Sequence, residues 1–407
     1  MDFGLKEQSK EKAIKEFSNV LGAEGEWFLK IIEFVVQKRK EGKHITDIFI
    51  REEAPPLIGI LKAFFYSGLN NLKVDRTAIR DFVQAILEYS ERQALYIDLT
   101  LNKRKSIDFS FSLYGLGVFR VNYSQDQNGD ALNIRVLDFV IPEFEDMLFP
   151  EMYVEFFNRQ LLVRRSINLG NSNVMASIVR GGGLIIHSGA TGSGKTTAIA
   201  SEIKFLADHS NGLILTYENP VEYRFLPSIY PNVRQLEIER HLYWDEIYYH
   251  FLRNSPAVGL IGEIRNREEF LQVLDLASRG HLVITTMHAR NVIETIVSFL
   301  SYLEENQREL FLSVIRCVVS HKLYLSESGR IIPFYEILIF NDVVRNFFLK
   351  ETGINLPRIV SYFYKEYKAR LVESKVFYPF EICFSERKKE NLISGNEVSQ
   401  VKELLEI

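Results

Sequence analysis

Between Gly189 and Thr197 the chain reads Gly-Ala-Thr-Gly-Ser-Gly-Lys-Thr-Thr, the GxxxxGK[ST] pattern of a phosphate-binding loop. Gly189, Gly192 and Gly194 let the backbone bend until its N–H groups point at phosphate oxygens, and the helix that follows adds the positive end of its dipole. Ser193 and Thr197 complete the binding segment, Lys195 is the cation that reaches β- and γ-phosphates, and the Thr196 hydroxyl is the expected Mg²⁺ ligand. Acidic and imidazole groups stand further on, where strands are predicted to end: Glu218 and Glu222 in Tyr-Glu-Asn-Pro-Val-Glu, Glu263 in Gly-Glu-Ile-Arg, and His281 and His288 on either side of an apolar run. One carboxylate to orient water, another to support the metal and a polar sensor of the γ-phosphate are the parts of nucleoside triphosphate hydrolysis. A nucleoside triphosphate and Mg²⁺ are the expected cofactors.

The flanking pattern suits these groups. An apolar run over 184–187 precedes the loop and helical spacing follows it, giving strand, loop and helix in order. Further buried strands are predicted at 213–217, 258–262 and 282–286, alternating with helices, which is a doubly wound α/β core. Ligands of such sheets sit at the carboxyl ends of the strands, where Glu218, Glu263 and His288 fall. Upstream, a helical stripe covers 27–38, a helix covers 76–89, and strands are predicted at 45–50, 94–100, 106–113, 118–123 and 132–137, which together read as an α+β domain. The predicted organisation is a polar extension over 1–25, an α+β domain over 26–142, a linker and lead-in over 143–182, and an α/β domain over 183–407 whose part after Asn291 is largely helical.

Composition narrows the class. The chain has 407 residues, 46% hydrophobic and 25% charged, with a net charge of −4, so no nucleic-acid partner is expected. Its two cysteines, Cys317 and Cys383, supply neither a disulfide framework nor a CxxC zinc site, which points to a reducing cytosol. The first residues lack the layout of a signal peptide. No apolar run reaches the ~18 residues of a membrane span; the stretch 334–349 comes nearest and is broken by Glu336, Asn341, Asp342 and Arg345. Membrane association is therefore expected to be peripheral, through partners.

In their order and spacing these motifs resemble the ATPase superfamily of type II and type IV secretion and type IV pilus systems. The loop matches its Walker A motif, Glu218-Asn219-Pro220-Val221-Glu222 its aspartate box, Gly262-Glu263-Ile264-Arg265 its Walker B motif, and Gly280-His281 through His288 its histidine box. Thr46-Asp47-Ile48-Phe49-Ile50, Ala54-Pro55-Pro56-Leu57-Ile58, Phe119-Arg120-Val121-Asn122 and Arg135 extend the match upstream, and Tyr335-Glu336-Ile337-Leu338 and Val344-Arg345-Asn346 extend it downstream. The likeness is strongest to twitching-motility, pilus-retraction ATPases. It implies a RecA-like P-loop ATPase domain preceded by a PAS-like α+β domain. Glu263 is then the first choice of catalytic base, with Glu218 supporting it. His288 and His281 would couple nucleotide state to neighbouring segments, and Arg120 and Arg135 would act at the γ-phosphate. Asn219, Ala257, Asn266 and Arg279 depart from the family pattern, each losing a negative charge or adding a positive one.

The resemblance further implies a hexameric motor at the cytoplasmic face of the inner membrane that acts on a pilus through a platform protein. A secretion or conjugation motor that moves substrates shares the same motifs. The four-cysteine zinc module of many assembly and type II motors cannot be built here, which favours the retraction-like or conjugation-type branch. Two other classes share the loop. A small-molecule kinase needs an acceptor pocket and lid that the residues past 290 do not suggest, and a non-catalytic ring adaptor would bind ATP only to hold subunits together.

Overall fold

The computed structural model of the chain describes residues 17–22, 25–41, 45–60, 63–66, 69–90, 106–113, 117–137, 140–168, 173–238, 241–351 and 356–407. They form two compact units. The first takes in residues up to Ile141 together with Glu222–Arg224 and Glu327–Ile331, and the second holds the remainder.

The first unit contains β1 (Asp47–Arg51), β2 (Leu57–Ile60), β3 (Ala63–Tyr66), β4 (Ser106–Leu113), β5 (Gly117–Asp126) and β6 (Gly129–Leu137), with helices α1 (Glu26–Lys40) and α2 (Arg76–Tyr89). The strands make one antiparallel sheet in the order β3-β2-β1-β6-β5-β4. Alternation along β5 buries Phe119, Val121 and Tyr123 and leaves Arg120 half-exposed, the two-residue period of a sheet with one covered face. Phe28 of α1 and Phe82 of α2 meet with ring centroids 4.5 Å apart, and both lie against Phe111 of β4. The two helices therefore cover the same face. The Asp75 side chain accepts from the Ala78 amide and starts α2, a cap that satisfies one of the helix's otherwise unpaired amides. The predicted strand at 94–100 lies outside the described residues. Strands β2 and β3 have no counterpart among the elements expected from sequence.

The second unit opens with a short helix, α3 (Glu151–Glu155), continued by a π-helical turn over Phe156–Leu161 and a hairpin of β7 (Leu162–Asn168) and β8 (Asn173–Val179). The expectation of a linker there is corrected: Tyr153, Phe156, Phe157 and Leu161 are fully buried, so this stretch is core. The main sheet comprises β9 (Gly183–Ser188), β10 (Ile214–Glu218), β11 (Val233–Glu237), β12 (Val258–Glu263), β13 (Leu282–Met287), β14 (Ile315–Leu325), β15 (Ile331–Ile339) and β16 (Phe377–Tyr378). Its order is β11-β10-β12-β13-β9-β14-β15-β16, and every pairing from β11 to β14 is parallel. All six residues of β9 are buried, as a central strand covered on both faces requires.

Helices α4 (Lys195–His209), α5 (Trp244–Asn254), α6 (Arg267–Ser278), α7 (Val292–Tyr302) and α8 (Glu305–Val314) alternate with these strands or follow them. Phe270 of α6, Phe299 of α7 and Phe311 of α8 pack ring against ring. The expectation of a largely helical chain after Asn291 holds for α7, α8 and most residues beyond 342, but 315–325 and 331–339 are long strands. Both runs are rich in β-branched and aromatic residues, and β14 completes the pairing of β9 on the side away from β13. The fold is a RecA-like α/β domain with an α+β domain preceding it.

Candidate active site

The phosphate loop runs from the end of β9 to the start of α4, and its glycines take backbone angles that other residues rarely adopt. Gly189, Gly192 and Gly194 have φ of 143°, 82° and 89°. At Gly189 a side chain would also collide with its surroundings: a Cβ there would lie 2.5 Å from Ser193 Oγ and 2.6 Å from the carbonyl oxygen of His321. The loop is thus pressed against β14. Gly194, in the left-handed region, is the N-cap of α4, so the first turn directs its amides outward at the loop. Lys195 Nζ donates to the carbonyls of Gly189, at 2.7 Å, and Ala190, at 3.0 Å. Ser193 is buried, while Lys195, Thr196 and Thr197 are half-exposed. Free amides, a lysine and a hydroxyl at the head of a helix match the donor set a polyphosphate requires.

Glu263 and His288 end neighbouring strands β12 and β13, and the structure brings them together. His288 Nε2 lies 2.7 Å from Glu263 Oε1, and the other ring nitrogen, Nδ1, lies 3.1 Å from the Gly189 carbonyl oxygen. One imidazole therefore connects the loop to the carboxylate. Arg265 Nε stands 3.5 Å from Glu263 Oε2. Glu218 ends β10, one strand further out. Its Oε1 accepts from Thr216 Oγ1 at 2.6 Å and from Gln235 Nε2 at 3.3 Å. Strand spacing puts β12 about 10 Å and β10 about 14 Å from β9, so Glu263 is the better placed of the two carboxylates.

His281 is not brought to this group. It precedes β13, at the opposite end of that strand from His288. Its Nδ1 is 2.7 Å from the Pro256 carbonyl oxygen, its ring meets Phe251 edge-on, and its own carbonyl accepts from Gly183 at the start of β9. Asn266 acts locally, its side chain accepting from the Glu269 amide and capping α6. Asparagine and aspartate serve about equally at that position, so the helix keeps its start without the negative charge. In the first unit, Arg120 and Arg135 are direct cross-strand partners on β5 and β6. Arg120 Nη1 donates to Glu222 Oε1 at 3.2 Å, and Arg135 Nε is 3.5 Å from Asp47 Oδ1.

A set of buried polar groups beside the loop has no counterpart among the residues expected from sequence. Tyr153, His187, Glu202 and His321 are each at most 2% exposed and lie in contact, although His187 and His321 are 134 residues apart in sequence. The one available signal is a histidine inside a strand that reads as fully buried. Among the described residues no group of three or more His, Cys, Asp or Glu is placed to hold a metal ion, and no helix is long and apolar enough to cross a membrane.

The family model described as type II/IV secretion system protein matches residues 164–328. The type IV pilus retraction ATPase PilT of Pseudomonas aeruginosa is 27% identical over 330 residues, which covers 78% of this chain and 85% of that one. The type IV pilus ATPase PilU of the same organism is 26% identical over 312 residues, covering 74% and 72%. Among solved structures, the pilus retraction motor PilT with bound ADP is similar at a TM-score of 0.61 and 26% identity, covering 86% of this chain and 95% of that one. With the phosphate loop, the strand-end glutamates and the RecA-like sheet, these likenesses make the chain a P-loop ATPase similar to the pilus-retraction members of the type II/IV secretion ATPases.

Proposed function

We propose that this ATPase is a hexameric motor that powers retraction of a type IV pilus from the cytoplasmic face of the inner membrane, acting on a membrane platform protein. The observation that supports its catalytic part is the link from Glu263 through His288 to the Gly189 carbonyl, at 2.7 and 3.1 Å. In this reading Gly189 to Thr197 cradle the phosphates with backbone amides, and Lys195 offsets the charge of the γ-phosphate. The Thr196 hydroxyl would hold Mg²⁺, which would draw electron density from the phosphate oxygens. Glu263 takes the proton of the attacking water. His288 holds that carboxylate in register with the loop, so a loop displaced by hydrolysis displaces the base too. Glu218, held by Thr216 and Gln235, would supply a second carboxylate in support of the metal. Arg120 and Arg135 supply positive charge at the γ-phosphate.

Steady-state phosphate release tests the chemistry. Glu263→Gln keeps the shape of the side chain but cannot accept a proton, so it should bind ATP and lose about 10²–10⁴-fold in turnover. Mixed into rings with wild type, it should inhibit them. If Glu218→Gln shows this behaviour and Glu263→Gln does not, the base is misassigned. A wild-type chain that binds ATP without releasing phosphate would leave only the non-catalytic adaptor. Cells lacking the chain should retain excess surface pili and stop twitching; normal pili with a lost export activity would instead establish the secretion motor.

A further inference from the structure

Residues 288–291 connect β13 to α7, and the connection is tied down along its length. At its start His288 meets Glu263 and the Gly189 carbonyl. In its middle the Arg290 carbonyl accepts from Ser320 Oγ of β14 at 3.3 Å. At its end Asn291 caps α7, its side chain accepting from the Glu294 amide. That cap does not reach the amide of Val292, the first residue of the helix. Val292 is wholly buried, so water cannot take the place of a partner.

Glu336 of β15 is that partner. Its Oε2 accepts from the Val292 amide at 2.9 Å across 44 residues of sequence, and its Oε1 accepts from the Tyr364 hydroxyl, also at 2.9 Å. Tyr364 lies on the π-helical turn Phe363–Tyr367, with its ring against Phe377 of β16 at 6.1 Å, which fixes the direction of the hydroxyl. Glu336 is only 3% exposed, and a carboxyl group is costly to bury. Both of its oxygens are spent on joining two segments, and one of those segments starts four residues after His288. The His288 side chain is half-exposed, so its place depends on the backbone that carries it. Catalytic geometry is sensitive to displacements of about 1 Å, and only residues 289–291 separate the imidazole from the anchored amide.

We propose that Glu336 is a positioning residue of the hydrolysis site: by holding the first amide of α7 it fixes the connection that sets His288 between Glu263 and the phosphate loop, and Tyr364 holds Glu336 in place. Residues far downstream of the loop thereby set its catalytic geometry without touching nucleotide. This rests on Glu263 and His288 serving hydrolysis.

Single-turnover ATP hydrolysis by the full chain, with enzyme in excess and thermal melts to verify folding, tests the role through a double-mutant cycle. Glu336→Leu removes both acceptors and should slow hydrolysis about tenfold. Glu336→Gln keeps an acceptor for the Val292 amide and should stay within about twofold of wild type. In a His288→Ala background Glu336→Leu should cost no more than about twofold, because no imidazole is left to position. A purely structural role predicts the same fractional loss in both backgrounds, and that result would overturn the proposal, as would wild-type rates in folded Glu336→Leu. If Glu336→Leu does not fold, Tyr364→Phe replaces it in the cycle, and a loss that persists without His288, or no loss at all, overturns the proposal. If His288→Ala hydrolyses nothing measurable, equal losses in Glu336→Leu and Glu336→Gln overturn it. Wild-type hydrolysis by His288→Ala would defeat the reading of the site and this inference together, whereas a defect in His288→Ala that simply adds to that of Glu336→Leu defeats only the inference.

Discussion

Gly189→Ala separates the two demands that the phosphate loop makes on its first glycine. The φ of 143° costs a residue with a Cβ about 1–2 kcal/mol. The new methyl would also stand 2.6 Å from the His321 carbonyl oxygen, where ordinary contact begins near 3.4 Å, so the loop or β14 must give by most of an ångström. Such a shift weakens the bonds that the Gly189 carbonyl accepts from Lys195 and His288, each contributing about 1 kcal/mol. The sum is about 3 kcal/mol, or a fall of about 6–12 °C in melting temperature for a unit of this size. Gly280→Ala is the control, since φ there is +98° with nothing within 4 Å of a Cβ. It shares the backbone cost without the collision. Thermal melts of the two variants, followed by ADP binding, measure the difference. If Gly189→Ala melts within about 2 °C of Gly280→Ala and binds ADP like wild type, then β14 does not hold the loop and the crowding has no energetic weight.

Arg135→Ala gives up only a loose pair with Asp47 at 3.5 Å, worth under about 1 kcal/mol at a half-exposed site, so the protein should fold normally; if the arginine serves the γ-phosphate, turnover drops by about 10³-fold or more with ADP affinity unchanged, and normal turnover refutes the role. Glu336 is buried on β15, accepting from the Val292 amide and the Tyr364 hydroxyl, and burial pushes its carboxyl up to about 7. The folded chain then keeps a proton that the unfolded chain releases above 4.5. The stability this group contributes is complete below that pH and is lost as pH rises through about 7. Denaturant titrations at pH 5 and pH 8 should show wild type losing up to about 3 kcal/mol relative to Glu336→Gln, and parallel curves for the two proteins would exclude a buried neutral acid.

Local signals are legible in the residues themselves. The strand before the phosphate loop and the helix after it can be read because every determinant lies within a few residues. The same holds for β4 and α2, predicted at 106–113 and 76–89 and found as Ser106–Leu113 and Arg76–Tyr89. The strand ends bearing Glu218, Glu263 and His288 are legible through apolar runs short enough to be buried strands. What escapes depends on distant partners. Strand β14 is fixed by pairing with β9, more than 120 residues upstream, and its alternation of apolar and polar residues is interrupted. The lead-in over 143–161 looks like a connector, although Phe149 and Phe157 close the core against Tyr335 and Phe205. His187 gives one sign, a polar residue in an apolar strand. Glu202 gives none, since a glutamate within a helix is ordinary until the helix is known to be buried.

The strand order has a consequence for the protein during synthesis. Strand β9 lies between β13 and β14, both made long after it. A growing chain that has emerged as far as Ala198 already carries the whole phosphate-binding sequence, yet has neither neighbour for the strand that supports it. Completion waits for Leu325, and until then β9 presents apolar residues and unpaired backbone edges. Such a chain cannot close its nucleotide site early, and ribosome-bound intermediates shorter than that should be clients of chaperones that cover exposed strands.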